Sequence, residues 1–212
     1  MITVYGAFPT RSFRVIWALE ELGKDYRLRP VDLRNRMADA EFLALNPSGF
    51  LPAMQDGDVT MVDSIAMLEY LIARYDGGGI LAPAASDPSF PDYQQFLHLG
   101  ESGLAAFLNV IVGSRFMAPD AEKDNFGARI AARMFDSRLA LVTRQLGRAP
   151  MMAGDRFSAA DISVIYALGM AERLGMADKF GPEIADYRAR MAARPAFKRA
   201  SGKWAPASSP AS

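Results

Sequence analysis

Within its first 31 residues the chain passes from strand to helix and back to strand. Ile2–Gly6 alternates and is β-branched like a short strand, and Tyr26–Val31 reads as a second one. Between them, Ser12–Leu22 carries Val15, Ile16, Leu19 and Leu22 as a helical stripe, with Gly23 as its C-cap. A β-α-β run this short closes only as a right-handed crossover between parallel strands. The first part of the chain is therefore an α/β layer. Met37–Leu45 predicts a short helix, and Asn46-Pro47-Ser48-Gly49 is a turn-rich break. Ala53–Gln55 and Val59–Val62 then flank Asp56-Gly57-Asp58, a hairpin signal. From Ser64 to Tyr75 the apolar spacing is helical again.

Asp76-Gly77-Gly78-Gly79 and the Pro-, Ala- and Ser-rich stretch Pro83–Pro91 make a connector of about 15 residues, long enough to mark a domain boundary. Beyond it no strand pattern appears. Tyr93–Phe116, Ala121–Leu146, Ala159–Arg173 and Glu183–Ala193 all read as helices. The element order is β-α-β-α-β-β-α followed by helices alone. The expected domains are 1–76, a linker 77–89 and an all-helical domain 90–200, with 201–212 a loose tail anchored by Trp204. At 212 residues, two modest domains can each bury a core.

Composition removes several classes of function. A formal net charge of +0 leaves no electrostatic footprint for nucleic acid or an anionic membrane surface. No apolar run in the sequence approaches the roughly 20 residues that span a bilayer, and the N-terminus enters a strand rather than a signal segment. The chain has no cysteine, which excludes disulfides, thiolate metal sites and a protein thiol nucleophile. No metal site is expected, and the expected location is cytoplasmic.

Three loops carry residue types that can do chemistry, each with a plain structural alternative. Thr10, Arg11 and Ser12 open the first helix. The hydroxyls can cap it, or they can serve an anion drawn to its free N–H groups and positive dipole end. Leu51-Pro52 precedes a strand, where proline is ordinarily tolerated. A cis bond there would turn the Leu51 backbone outward toward an extended ligand. Asp63-Ser64 starts the third helix, either as a cap or as a site for a ligand carboxylate and ammonium. Ser158 and Asp161 form a capping box and carry no chemistry. His98 sits among Phe96, Leu97 and Leu99 and reads as structural, with Glu101 on its helix face.

Five stretches in order resemble the cytosolic glutathione S-transferase family from Ile2 to about Ala200: TRSFRVIWALEELGKDY, NPSGFLPAM, VDSIAMLEYLIARY, AGDRFSAADISV and RPAFKRA. The resemblance implies an α/β plus all-α fold, with a thioredoxin-like βαβαββα domain ahead of an all-helical one. It implies glutathione as co-substrate, a small apolar electrophile as second substrate, and a homodimer built through Ser64–Tyr75 and Tyr93–Phe116. Carried across, Thr10 takes the place of the serine that contacts the glutathione sulfur, with Ser12 as the second candidate. Leu51, ahead of a cis Pro52, pairs with the cysteinyl part, while Asp63 and Ser64 hold the γ-glutamyl end. Phe50 stands where many relatives have the Lys or Gln that holds the glycyl carboxylate. Arg11, Arg34 or Arg36 then substitutes, or affinity is low. Phe8, Phe107 and Ile111 are the expected lining of the electrophile pocket. The competing reading is a transferase-fold module that binds and does no chemistry.

Overall fold

The computed structural model describes residues 1–204. The chain divides into two compact units, one made of Met1–Gly78 together with the segment from Ala192, the other of Gly79–Met191. The first contains β1 (Ile2–Gly6), α1 (Ser12–Glu21), β2 (Tyr26–Pro30), α2 (Ala40–Leu45, after a 3-10 turn at Arg36–Ala38), β3 (Ala53–Asp56), β4 (Val59–Val62) and α3 (Ser64–Tyr75). The sheet order is β2-β1-β3-β4. β1 and β2 run parallel, as the short crossover demands, and the other two pairings are antiparallel. This is the thioredoxin-like arrangement anticipated above.

Helix α1 differs from a simple amphipathic stripe. Every residue from Ser12 to Leu19 is buried, because the helix is covered by β1, by α3 and by α9 (Pro195–Gly202). Phe197 of α9 sets its ring edge-on to Phe13 at 5.2 Å and to Trp17 at 4.9 Å. Arg194 grips Glu21 through two bonds of 2.7 and 2.9 Å, and Arg199 donates to Glu20 at 2.7 Å. A bidentate guanidinium–carboxylate pair fixes direction as well as distance. This corrects the expected boundaries: the last helix belongs to the first unit rather than to a helical domain 90–200. Ser201–Trp204 continues from that helix instead of starting a tail, and residues 205–212 lie outside the described residues.

The second unit is helical. Phe90–Met117 is one continuous run in which α4 (Phe90–His98) and α5 (Ala106–Val112) are each followed by a π-helical stretch, Leu99–Ala105 and Gly113–Met117. A Cβ at Gly100 would stand 2.3 Å from Ser163 Oγ, so glycine is what lets this run close onto α7 (Ala159–Arg173). By length and apolar composition the run could cross a bilayer, contrary to the sequence expectation. Its buried face, with Phe96, Leu97, Leu104 and Leu108, instead packs on α6 (Phe126–Leu146) and α7. Helix α8 (Pro182–Ala193) follows, and its Tyr187 is fully buried.

Candidate functional site

The strand register brings the three candidate loops together. β1 ends at Gly6, and Tyr5 pairs with Ala53, the first residue of β3. Ala53 in turn pairs with Val62, the last residue of β4. Phe8–Ser12, Phe50–Pro52 and Asp63–Ser64 therefore all leave the sheet at one end. Sequence reasoning could place each loop beside a strand, but only the register puts them side by side.

At the first loop the N-cap residue of α1, Arg11, makes no side-chain capping bond. The Thr10 and Ser12 hydroxyl oxygens stand 2.8 Å apart, and Ser12 N–H reaches Thr10 Oγ1 at 3.3 Å. Thr10 gives its own proton to the Ala7 carbonyl at 2.5 Å. Since a hydroxyl has one proton, the hydrogen between the two side chains belongs to Ser12. Ser12 is fully buried and Thr10 is half-buried. Thr10 is thus the hydroxyl that a ligand can reach, with Ser12 donating to it from behind. A Cβ on Gly6 would fall 2.7 Å from Ser12 Cβ and 2.8 Å from its Oγ, so the seat for Ser12 exists only beside glycine. Phe8–Pro9 in this loop is cis.

At the second loop the Leu51–Pro52 bond is cis. The Leu51 side chain packs with Tyr5, Val31, Phe42 and Ala53. Its backbone lies beyond the last ladder pairs at Ala53, off the end of the interior strand β3. Phe50 is 72% exposed. Asn46 Nδ2 holds the Phe50 carbonyl at 2.5 Å, and Arg36 donates to Gly49 O at 3.0 Å and to Leu33 O at 2.7 Å. Arg36 is therefore engaged in building this loop. Arg34 is exposed, and Arg11 is half-buried in the first turn.

At the third loop Asp63 adopts φ 84° and ψ 116°, a region that few residues other than glycine occupy. Its Oδ1 accepts from Ile65 N–H at 2.8 Å and Ala66 N–H at 2.9 Å. The cap occupies those two donors through Oδ1 alone, and the carboxylate is exposed. Ser64 is buried, and its Oγ accepts from the guanidinium of Arg14 at 3.1 Å. Accepting there leaves the Ser64 proton directed elsewhere. Arg14, fully buried on α1, was not among the site residues expected from the sequence. It places a positive charge behind the start of α3, where the helix dipole already favours an anion. A charged residue inside an otherwise apolar helical stripe was the available signal.

Tyr5 was given no catalytic role from the sequence. Its phenol oxygen lies 3.1 Å from Glu41 Oε1 and 3.0 Å from Gln55 Oε1. Burial first, and then Glu41, holds the phenol above its ordinary range, so it stays protonated. Of the expected electrophile lining, Phe8 is 47% exposed beside Thr10. Phe107 is half-buried in the helical unit under the Arg138 guanidinium, 5.2 Å from the ring centroid. Ile111 is corrected: it is 3% exposed because α5 packs on α6 and α7, so it supports a core rather than lining a pocket. Among the described residues no cluster of three or more His, Cys, Asp or Glu side chains could hold a metal ion.

Residues 10–74 match the family described as glutathione S-transferase, N-terminal domain. Glutathione S-transferase 3 of Zea mays is 31% identical over 200 residues, covering 88% of this chain and 86% of the relative. Maleylacetoacetate isomerase of Pseudomonas aeruginosa is 31% identical over 205 residues, covering 90% of this chain and 91% of the relative. The glutathione transferase homolog from Lodderomyces elongisporus, solved with two GSH per subunit, has the same fold. Its TM-score is 0.84 at 21% identity, over 97% of this chain and 99% of that one.

Proposed function

This chain belongs to the glutathione S-transferase family, and on that footing we propose that it binds glutathione and directs the thiolate at an apolar electrophile. The observation that carries the reading is the half-buried Thr10 hydroxyl at the start of α1, backed by the buried Ser12 hydroxyl. Leu51 offers its backbone to the cysteinyl unit, and Asp63 with Ser64 takes the γ-glutamyl end. Arg14 adds positive charge behind that carboxylate subsite. Thr10 redirects its proton from the Ala7 carbonyl to the sulfur. The Ser12 proton, donated to Thr10 Oγ1, polarises that hydroxyl and strengthens it as a donor. In the reaction a sulfur lone pair forms the S–C bond. The pair released leaves with a departing group, or enters a conjugated system that then takes up a proton.

The thiolate gain itself is modest. A thiol of pKa about 8.5 is only about 3% ionised near pH 7, and lowering it to about 6.5 raises that share about 25-fold. Nucleophilicity falls with pKa at a Brønsted slope of about 0.4–0.5, which removes about 6–10-fold. A few-fold remains. Most of any large acceleration must come from holding the electrophile against the sulfur.

Calorimetry with glutathione tests the reading, alongside a spectroscopic titration of the bound thiol. Binding with a thiol pKa below its free value is expected, and no binding at millimolar glutathione would overturn it. A second reading, a binding module without chemistry, is favoured by one observation: the Thr10 proton is already committed to Ala7 O. An unshifted thiol pKa in the bound ligand would select that reading. We further propose a homodimer, supported by the family resemblance and by Phe50 and Val62, which are 72% and 46% exposed. A monomer mass by light scattering would overturn it.

A further inference from the structure

The chain's two tryptophans have unlike settings. Trp17 is fully buried in α1, and its indole N–H donates to Glu21 at 2.9 Å. Trp204, just past α9, is partly exposed and reaches back to the turn that carries Thr10. Its ring centroid lies 6.3 Å from that of Phe8, with the planes tilted 34°. Its Cη2 atom would stand 3.2 Å from a Cβ built on Gly6, the same glycine against which Ser12 is seated. Phe8 leans edge-on against Phe13 at 6.4 Å and so connects to the Trp17–Phe197 cluster, yet it is 47% exposed.

The indole N–H of Trp204 is out of solvent and has no hydrogen-bond acceptor among the described residues. A buried donor in that state is unfavourable relative to a satisfied one. Among the described residues the indole ring is held by packing and not through its N–H, so reseating it breaks no indole hydrogen bond there. A ligand that also offers an acceptor gains from the unsatisfied donor.

We propose that Trp204 and Phe8 form an aromatic wall beside Thr10, with Trp204 setting the specificity of the electrophile site toward planar aromatic or conjugated compounds that carry an oxygen acceptor. This rests on the transferase reading above, and it assigns the C-terminal turn of the first unit a part in that reaction. Two flat rings meeting at a tilt present an apolar face that stacks on a planar ligand more strongly than on a flexible aliphatic one. Nitro and carbonyl oxygens on such a ligand are natural partners for an indole N–H.

Trp204→Phe and Trp204→Ala test the wall with two electrophiles, a chlorodinitrobenzene and an unbranched alkyl iodide. In Trp204→Ala the ratio of kcat/KM for the aromatic to that for the alkyl substrate should fall about 3–10-fold. Trp204→Phe should recover part of the ratio, and the Kd for glutathione should move less than about twofold in both. An equal loss on both electrophiles, or none on either, overturns the inference. A separate measurement needs no glutathione: unreactive dinitrobenzene should quench tryptophan emission saturably in the parent and not in Trp204→Phe, where Trp17 alone remains. Equal quenching in both proteins, or none in the parent, also overturns it. Failure of the parent to bind glutathione with the quenching difference intact would sink the transferase reading and leave the aromatic ligand wall standing.

Discussion

Helices α1 and α7 both begin at hydroxyl side chains, and the two beginnings are built for different ends. At α7, Ser158 Oγ accepts from Ala160 N–H at 3.3 Å and donates to Asp161 at 3.2 Å. Asp161 also accepts from Ser158 N–H at 2.8 Å, Met152 N–H at 2.9 Å and Tyr187 O–H at 2.7 Å. Burial pushes this carboxyl above its ordinary range against the pull of those donors, and raises the Tyr187 phenol as well. At α1 the N-cap Arg11 makes no side-chain cap, Thr10 Oγ1 takes only the Ser12 N–H at 3.3 Å, and the reachable hydroxyl gives its proton to a loop carbonyl. A helix start saturated by its own buried side chains has nothing left for a ligand. One held by a single long side-chain contact, with a half-buried hydroxyl, can exchange that hydroxyl's internal acceptor for a bound anion.

The largest expected effect lies at the saturated start. Asp161→Ala strands buried donors from Ser158, Met152 and Tyr187, and should lower stability in urea unfolding by about 3–5 kcal/mol. Its glutathione affinity, measured where the variant is still folded, should stay within about twofold. A variant that kept its stability would break the contrast. Next comes Thr10→Val. Unfolding should shift by less than about 1 kcal/mol, while the bound thiol pKa rises by about 1–2 units and kcat/KM drops by no more than about 4-fold, the net of a smaller thiolate share against a higher intrinsic nucleophilicity. Ser12→Ala keeps Thr10 but removes the proton donated to it. It should raise the thiol pKa by about half a unit, with less than about a twofold change in kcat. If Ser12→Ala proved as damaging as Thr10→Val, the order of the two hydroxyls would be reversed.

The smallest effect concerns a third helix start. Asp39 caps α2 by accepting Phe42 N–H at 3.0 Å, and its pKa is lowered first by the hydrogen bond from Arg29 and then by that N–H. A carboxylate depressed in the folded state stabilises it above the unfolded value of about 3.9, and that contribution is lost as pH falls through the folded value below it. The protection factors of the amides at Phe42–Leu45, corrected for intrinsic exchange, should therefore fall below about pH 4. The Thr10 turn, which holds no carboxylate, should show no such change, and a parallel fall in protection at Ser12–Phe13 would blur the distinction.

Much of the site was legible because its parts are local. The Asp63-Ser64 helix start, the hairpin around Gly57 and the Ser158/Asp161 box each announce themselves within a few residues, through capping and turn chemistry that acts at short range. The hydroxyl facing a ligand was not legible. Thr10 and Ser12 are chemically alike, and only Gly6 and the packing behind the turn bury one of them. The role of Arg14 was hidden for a similar reason: its partner Ser64 is fifty residues away in sequence.

By itself, the sequence determined the order of strands and helices, the parallel crossover and the positions of the loops. Backbone propensity and short-range hydrogen bonds specify these whatever surrounds them. Tertiary structure alone decided that β1, β3 and β4 present their loops at one end of the sheet. It also decided that α9 joins the first unit through Phe197 and Arg194, and that Trp204 comes to rest on Phe8. Each of these outcomes depends on which distant surfaces find each other as apolar area is withdrawn from water, a non-directional force that no short window of sequence records.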